Sequence, residues 1–384
     1  MRNIGTVSRG IRAPIIKVGD DLENIAVELV VNVVKNDNIT LNDKDIVGVT
    51  ESLLARAQGN FVSLDAIGKD INNKFGDEVG VVFPMLSRNR FSLILAGVAR
   101  GVKKCYVQLN YPSDEVGNPI SSLDKIYEKG INPYLDEFTE DEYRKIFTRE
   151  ERINPFTGVD ILDYYKNLSD NIEIIFSNNP ISMLKYTKNI LISNIHARFR
   201  TKEIIRKAGA EKIYSLDEIV NTSIDGSGYN EEYGLLGTNY STDEVLKLFP
   251  RDGQTFVNNV QKKLFEKTGK KLEVLIYGDG AFKDPVAGIW ELADPVVSPA
   301  FTDGLAGVPN ELKLKFIIDS SNLSDEDIIE KIKSKNISQK EALGTTPRRI
   351  TDLVGSLCDL TSGSGDKGTP IVLIQGYFDN YAND

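Results

Sequence analysis

One histidine, two cysteines and a single tryptophan in 384 residues remove several kinds of chemistry at once. A lone histidine, His196, cannot build a histidine-rich zinc site or a paired-imidazole relay, and two cysteines do not complete the ligand count. His196 closes the run Ile192-Ser193-Asn194-Ile195 and has no nucleophile motif beside it, which favours a structural or substrate-contacting role. Cys105 and Cys358 stand far apart with no CxxC pairing, as small core residues in a reducing compartment do. No apolar run approaches the roughly 18 residues that a membrane crossing needs. The first fourteen residues hold Arg2, Arg9 and Arg12 but no apolar centre, unlike a signal peptide, so a cytoplasmic protein is expected. Positive charge is also in deficit: 46 Lys and Arg against 56 Asp and Glu give a net charge of −10. That balance argues against a nucleic-acid partner, although small phosphate ligands respond to local charge and stay open. Any catalysis must rest on carboxylates, lysines, arginines and backbone amides.

What remains is globular composition, 41% hydrophobic and 27% charged, in a chain long enough for two domains. Residues 23–35 place apolar groups at helical spacing behind Asp20-Asp21, acids that suit a helix N-terminus. Ile46-Val47-Gly48-Val49-Thr50 reads as a buried strand, followed by a helix over 51–58 that Gly59 closes. From about 82 to 222 the pattern becomes repeated strand–helix pairs. Strands are expected at 105–111, 172–177, 189–195 and 211–214, with helices at 90–100, 160–167 and 201–208. The charged stretch 136–152 reads as a solvated helix and connector. Beyond it, a helix over 254–267, a strand over 271–277 and helices at 324–333 and 348–360 precede a strand at 370–375. The alternation suggests a small parallel-sheet subdomain over about 82–222, between segments of more mixed pattern.

Among motifs, Gly363-Ser364-Gly365-Asp366-Lys367-Gly368-Thr369 invites a P-loop reading and fails it. A helix precedes, a strand follows, and glycine rather than Ser or Thr comes after the lysine. Gly278-Asp279-Gly280 ends a strand in a carboxylate between two glycines, an arrangement that suits magnesium or manganese held against phosphate oxygens, or an ordinary tight turn. Asp243 and Asp252 lie within some forty residues of it, and each could equally cap a helix.

Six segments, in order, carry a resemblance. They are Arg12-Ala13-Pro14-Ile15 with Gly19-Asp20-Asp21-Leu22, the stretch from Asp43-Lys44-Asp45 through Thr50 to Gly59, Thr238-Asn239-Tyr240-Ser241-Thr242-Asp243, Leu248-Phe249-Pro250-Arg251-Asp252, the strand 276–283, and Gly368 to Gly376. Together they resemble the coenzyme F420-0:L-glutamate ligases. The resemblance implies an α+β core, 1–81 with 223–384, interrupted by an inserted α/β subdomain at 82–222, in a homodimeric ligase that uses GTP, or ATP, with two divalent cations, magnesium or manganese. It phosphorylates a carboxylate of a small-molecule acceptor, and the amine of L-glutamate then displaces the phosphate. The implied metal ligands are Asp243 and Asp279. Nucleotide contacts fall on Arg12, Ala13, Pro14, Ile15, Thr50, its neighbour Glu51, and Arg56; Arg56 and Lys283 would neutralise charge during transfer. The chain departs from the family pattern at Glu51, Ser52, Arg56 and Gly280, where serine, lysine, lysine and threonine are usual. In the central region Arg88, Arg90, His196 and Arg198 are candidate acceptor contacts. The alternatives are a folate-like acceptor, or a non-catalytic homologue that binds a nucleotide or pterin.

Overall fold

The computed structural model describes residues 4–86, 91–154, 158–278, 296–309, 313–320, 323–334, 348–363 and 365–379, and the backbone strands 281–283 and 290–292. Numbered along the chain, the strands begin with β1 (Val7–Ile11), β2 (Ile46–Thr50), β3 (Phe61–Ser63), β4 (Glu78–Val82), β5 (Lys104–Leu109), β6 (Phe138–Thr139), β7 (Ile172–Phe176) and β8 (Asn189–Ile192). They continue with β9 (Lys212–Ser215), β10 (Asn239–Thr242), β11 (Val245–Lys247), β12 (Glu273–Tyr277), β13 (Ala281–Lys283), β14 (Trp290–Leu292), β15 (Ala300–Phe301) and β16 (Ile371–Gln375). Helices and mixed sheets make this an α+β protein, as expected.

Residues 1–57, 252–280 and 296–384 form one compact unit, and residues 58–251 with 281–295 form a second. The second unit is wider than the expected 82–222. Its first short strand explains why, since β3 pairs with β11 far along the chain. Asn60, fully buried, binds the same elements together: its amide donates to the carbonyls of Phe249 (2.6 Å) and Tyr229 (3.0 Å) and accepts the Tyr229 N–H (3.0 Å).

In the first unit the sheet order is β1-β16-β2-β12-β15, with β2 and β12 parallel and the other pairs antiparallel. β2 and β12 are apolar almost throughout and buried on both faces, as strands covered by helices on each side must be. One cover is the helix Leu22–Asn36, which buries Leu22, Ala26, Val27, Val30 and Val31. Its start is set by Asp21, whose carboxylate accepts the Asn24 N–H at 3.1 Å, a cap worth about 1 kcal/mol. The acidic pair at 20–21 therefore serves folding: Asp20 closes the preceding turn by accepting the Lys17 N–H at 2.7 Å. On the other face the helix Ile350–Ser362 approaches so closely that a Cβ on Gly48 would strike the sulfur of Cys358 from 2.5 Å.

The second unit contains a six-stranded sheet in the order β6-β7-β5-β4-β8-β9, parallel except for β6. Val79, Val81, Val107, Ile174 and Leu191 face the helix Phe91–Arg100, while Val82, Tyr106, Ile175, Ile190 and Ile192 pack with Met183 and Ile205 on the other side. The chain runs outward from β4 to β5 and β7, then crosses back to β8 and β9. It is a doubly wound sheet with its switch point between β4 and β8. A second sheet, β10-β11-β3, completes the unit's described long-range pairing, and β13 pairs with β14 as a hairpin. The stretch 136–152 differs from its reading as a solvated connector. Tyr143 and Phe147 are fully buried, and Arg152 and Asp160 form an ion pair at 2.9 Å, both about 5% exposed. Capping boxes at Thr139 and Thr148 break the stretch into two short helices, Glu140–Ile146 and Arg149–Arg152, which turns one apolar face inward.

Both cysteines are free and buried, and burial pushes the Cys105 thiol up to about 12 and the Cys358 thiol up as well. A thiol reagent at pH 8 should therefore label neither cysteine in the native protein and both in denaturant. Rapid native labelling would contradict this core.

Candidate functional site

At one end of the first unit's sheet, four chain segments leave or enter neighbouring strands. Register pairs Ile11 with Ile371, Ile371 with Val49, and Thr50 with Tyr277. Consequently Arg12 after β1, Pro370 before β16, Glu51 after β2 and Gly278 after β12 emerge side by side. The carboxyl ends of adjacent parallel strands are where open α/β sheets take ligands, because side chains and amides there point out of the ladder.

Hydrogen bonds fix the segments. The Ala13 N–H donates to the Gly368 carbonyl at 3.0 Å, and the Thr50 N–H donates to the Pro370 carbonyl at 3.1 Å. The Tyr277 hydroxyl donates to the same Pro370 oxygen at 3.0 Å. Burial pushes the Tyr277 phenol well up, so it stays a neutral donor. The Gly278 N–H donates to Val297 at 2.8 Å, aiming the chain toward 279. Farther on, the Gly19 N–H donates to the Ala57 carbonyl at 2.8 Å. Residues 13–19 are thus tied at one end to the loop before β16 and at the other to the last turn of the helix Glu51–Ala57. Ile16 anchors that loop in the core while Ile15, 88% exposed, faces solvent.

The sequence candidates Arg12, Ala13, Pro14, Ile15, Thr50, Glu51 and Arg56 are therefore gathered in one region. Arg12 and Arg56 are exposed and form no ion pair among the described residues, leaving two guanidinium charges for an anion. Glu51, which stands where the family has serine, is only 3% exposed, so its carboxylate is folded inward and not displayed to a ligand. Asp279, Gly280, Arg88 and Arg90 lie outside the described residues. Lys283 is described only as backbone in β13.

In the second unit Asp243 sits at the exposed turn of the β10–β11 hairpin and accepts the Tyr240 hydroxyl at 2.6 Å. This bond to the carboxylate raises the Tyr240 phenol above its ordinary value. Its neighbour Glu244 is held by Arg100 (2.7 and 2.8 Å), and Arg100 also reaches Asp65 at 3.0 Å. The hairpin was not legible as such: Asp243 reads equally as a helix cap. Asp252 does start the helix Gly253–Thr268, but its side chain makes no cap bond and its φ is 54°. His196 is exposed. Arg198 donates to the Ile195 carbonyl at 2.7 Å, lies 3.4 Å from Asp217 and stacks on Phe199, so its charge is engaged within the unit.

Among the described residues no three His, Cys, Asp or Glu side chains gather into a metal-binding group. Magnesium bound with a nucleotide takes one or two carboxylates and fills its shell with phosphate oxygens and water. The oxygen donor at Asp243, with no imidazole or thiolate partner, is of the kind such a hard cation uses. No described helix is long and apolar enough to cross a membrane.

Sequence reasoning did not anticipate Tyr277 or the carbonyls of Gly368 and Pro370. A tyrosine directly after the aliphatic run Val274-Leu275-Ile276 was the available signal. Compared with known families, residues 10–376 match the model described as F420-0:gamma-glutamyl ligase, a span that includes both units. No curated protein matches the chain.

Tyr277→Phe removes one of the two donors on the Pro370 carbonyl. It should cost about 1 kcal/mol of stability in denaturant titration. A variant as stable as the parent would mean that the bond does not hold this junction.

Proposed function

The chain belongs to the F420-0:gamma-glutamyl ligase family, and from that premise we propose that it joins L-glutamate by an amide bond to a carboxylate of a cofactor-like acceptor, F420-0, at the expense of GTP. The observation that carries this reading is the gathering of the 12–19 loop, Thr50, Arg56 and the strand end leading to Asp279 at one edge of a single sheet.

In the proposed reaction an oxygen of the acceptor carboxylate attacks the γ-phosphorus, the bond to GDP breaks, and an acyl phosphate forms. The glutamate amine then attacks the acyl carbon, inorganic phosphate leaves, and the amine proton passes to solvent. Neither step needs a histidine base, which suits a chain with one exposed histidine. Arg56 and Arg12 bind phosphate oxygens and offset the charge that builds on them. The backbone of 13–15, held by Gly368 and Ala57 through its flanking bonds, orients the nucleotide. Asp279, which follows β12, is the proposed carboxylate ligand at this edge, and magnesium or manganese, when bound, would supply further neutralisation of the phosphates. Replacing the family's lysine by arginine at 56 keeps the charge and adds a planar, bidentate donor set.

The test is mass spectrometry of F420-0 incubated with the protein, GTP, magnesium and L-glutamate. The acceptor should gain a glutamyl residue with stoichiometric phosphate release. Arg56→Ala should lower kcat by about 100-fold and Arg56→Lys by much less. Asp279→Asn should abolish turnover without lowering Tm. Glutamyl transfer that proceeds without nucleotide, or that is unchanged in Asp279→Asn, would refute the reading.

A further inference from the structure

Three consecutive residues before β16 each tie down a different part of the first unit's sheet edge. The Gly368 carbonyl accepts the Ala13 N–H at 3.0 Å. The Thr369 hydroxyl donates at 2.9 Å to the carbonyl of Ser362, the last residue of the helix Ile350–Ser362. The Pro370 carbonyl accepts the Thr50 N–H at 3.1 Å and the Tyr277 hydroxyl at 3.0 Å. Proline has no N–H of its own, so the carbonyl is what this residue offers to its neighbours. Of these four bonds, the two made by Thr369 and Tyr277 have side-chain donors; the others join main chain to main chain.

Packing fixes where both hydroxyls point. Tyr277, 1% exposed, lies at the end of β12 among Leu305, Val354, Cys358 and Val372. A Cβ on Gly48 of β2 would stand 3.2 Å from its ring, so the ring rests on the neighbouring strand. Thr369 is as closely fitted: a Cβ on Gly10 of β1 would strike its own Cβ from 2.9 Å. A ring in a close-packed core has little freedom, and its hydroxyl carries the position of that core to the Pro370 oxygen. Phenylalanine would fill the same space and bring no polar group to desolvate. The separate contribution of the tyrosine is therefore the aim of its hydroxyl at Pro370.

We propose that Tyr277 is a positioning residue for nucleotide binding: its hydroxyl, through the Pro370 carbonyl, keeps the exit of β2 and the 12–15 segment set before the nucleotide arrives. The role rests on the ligase reading of this edge and gives Tyr277 no contact with substrate. Segments already in their bound arrangement give up less entropy on binding. Without the hydroxyl the nucleotide must order them itself, so affinity falls while the assembled complex reacts as before. The signature is a raised KM for GTP, with kcat and KM for L-glutamate unchanged.

Calorimetric titration of the full-length protein with GTP and magnesium tests this without an acceptor. Tyr277→Phe should weaken GTP binding about three- to tenfold, and Thr369→Val, which removes the neighbouring tie, should weaken it in the same direction. Tyr143→Phe is the control. It deletes a buried phenol bond of the same kind, to the Ser121 hydroxyl at 2.7 Å in the second unit, and should leave GTP affinity unchanged. In turnover with F420-0, Tyr277→Phe should raise KM for GTP by the same factor and leave kcat within about twofold of the parent. A Tyr277→Phe protein that binds GTP as tightly as the parent would overturn the role. So would equal weakening in Tyr143→Phe, the mark of general loosening. A parent protein that binds no GTP would sink the ligase reading and the role together, a result distinct from a binding parent with an indifferent Tyr277 variant.

Discussion

The carbonyl of Pro370 accepts both the Thr50 N–H and the Tyr277 hydroxyl, and this double acceptance sets the geometry of the whole candidate site. It joins the exits of two parallel strands to the entry of the antiparallel strand beside them. Because β1 pairs with β16 in turn, the 12–19 loop is carried to the same edge. The segments involved are hundreds of residues apart in sequence, so only the sheet brings them together. The arginines at 12 and 56 then flank an edge whose backbone polar groups are already partly committed, and the acid directly after β2, Glu51, is buried.

The second unit solves a different problem with similar means. Its parallel sheet ends in loops that would otherwise have several rotatable backbone groups, and Asp114 and Glu115 hold one loop each. Burial pushes the Asp114 carboxyl up, and the hydrogen bonds it accepts pull against that cost. The result is a pair of loop ends whose backbone N–H groups are satisfied by carboxylates. A chain with a net charge of −10 can still offer an anion the exposed Arg12 and Arg56, because a binding surface answers to local composition.

Most helices and strands were legible because their signals are local. The apolar spacing from Leu22 to Val31 and the cap at Asp21 mark one helix, and the largely apolar segments at 46–50, 172–176 and 273–277 mark buried strands. Elements that depend on distant partners were not legible. Phe61-Val62-Ser63 is a strand only because Val245–Lys247 lies against it, and β1 exists only beside β16. The same dependence hid the limits of the second unit, since Gln58-Gly59 looks like a simple helix end. At the site, the residues at 12–15, 50 and 56 were named from motifs, but the carbonyls and the tyrosine that gather them carry no sequence signature. In the stretch 136–152 charge density masked two buried aromatic rings and a buried ion pair, because polar residues dominate any composition-based reading.

Hydrogen exchange with mass spectrometry, with and without GTP and magnesium, tests most directly whether the edge gathered by Pro370 receives the nucleotide. The account predicts new protection in peptides covering 12–19, 50–57 and 365–370. Protection confined to residues 58–251, or none in those three segments at saturating GTP, would contradict it.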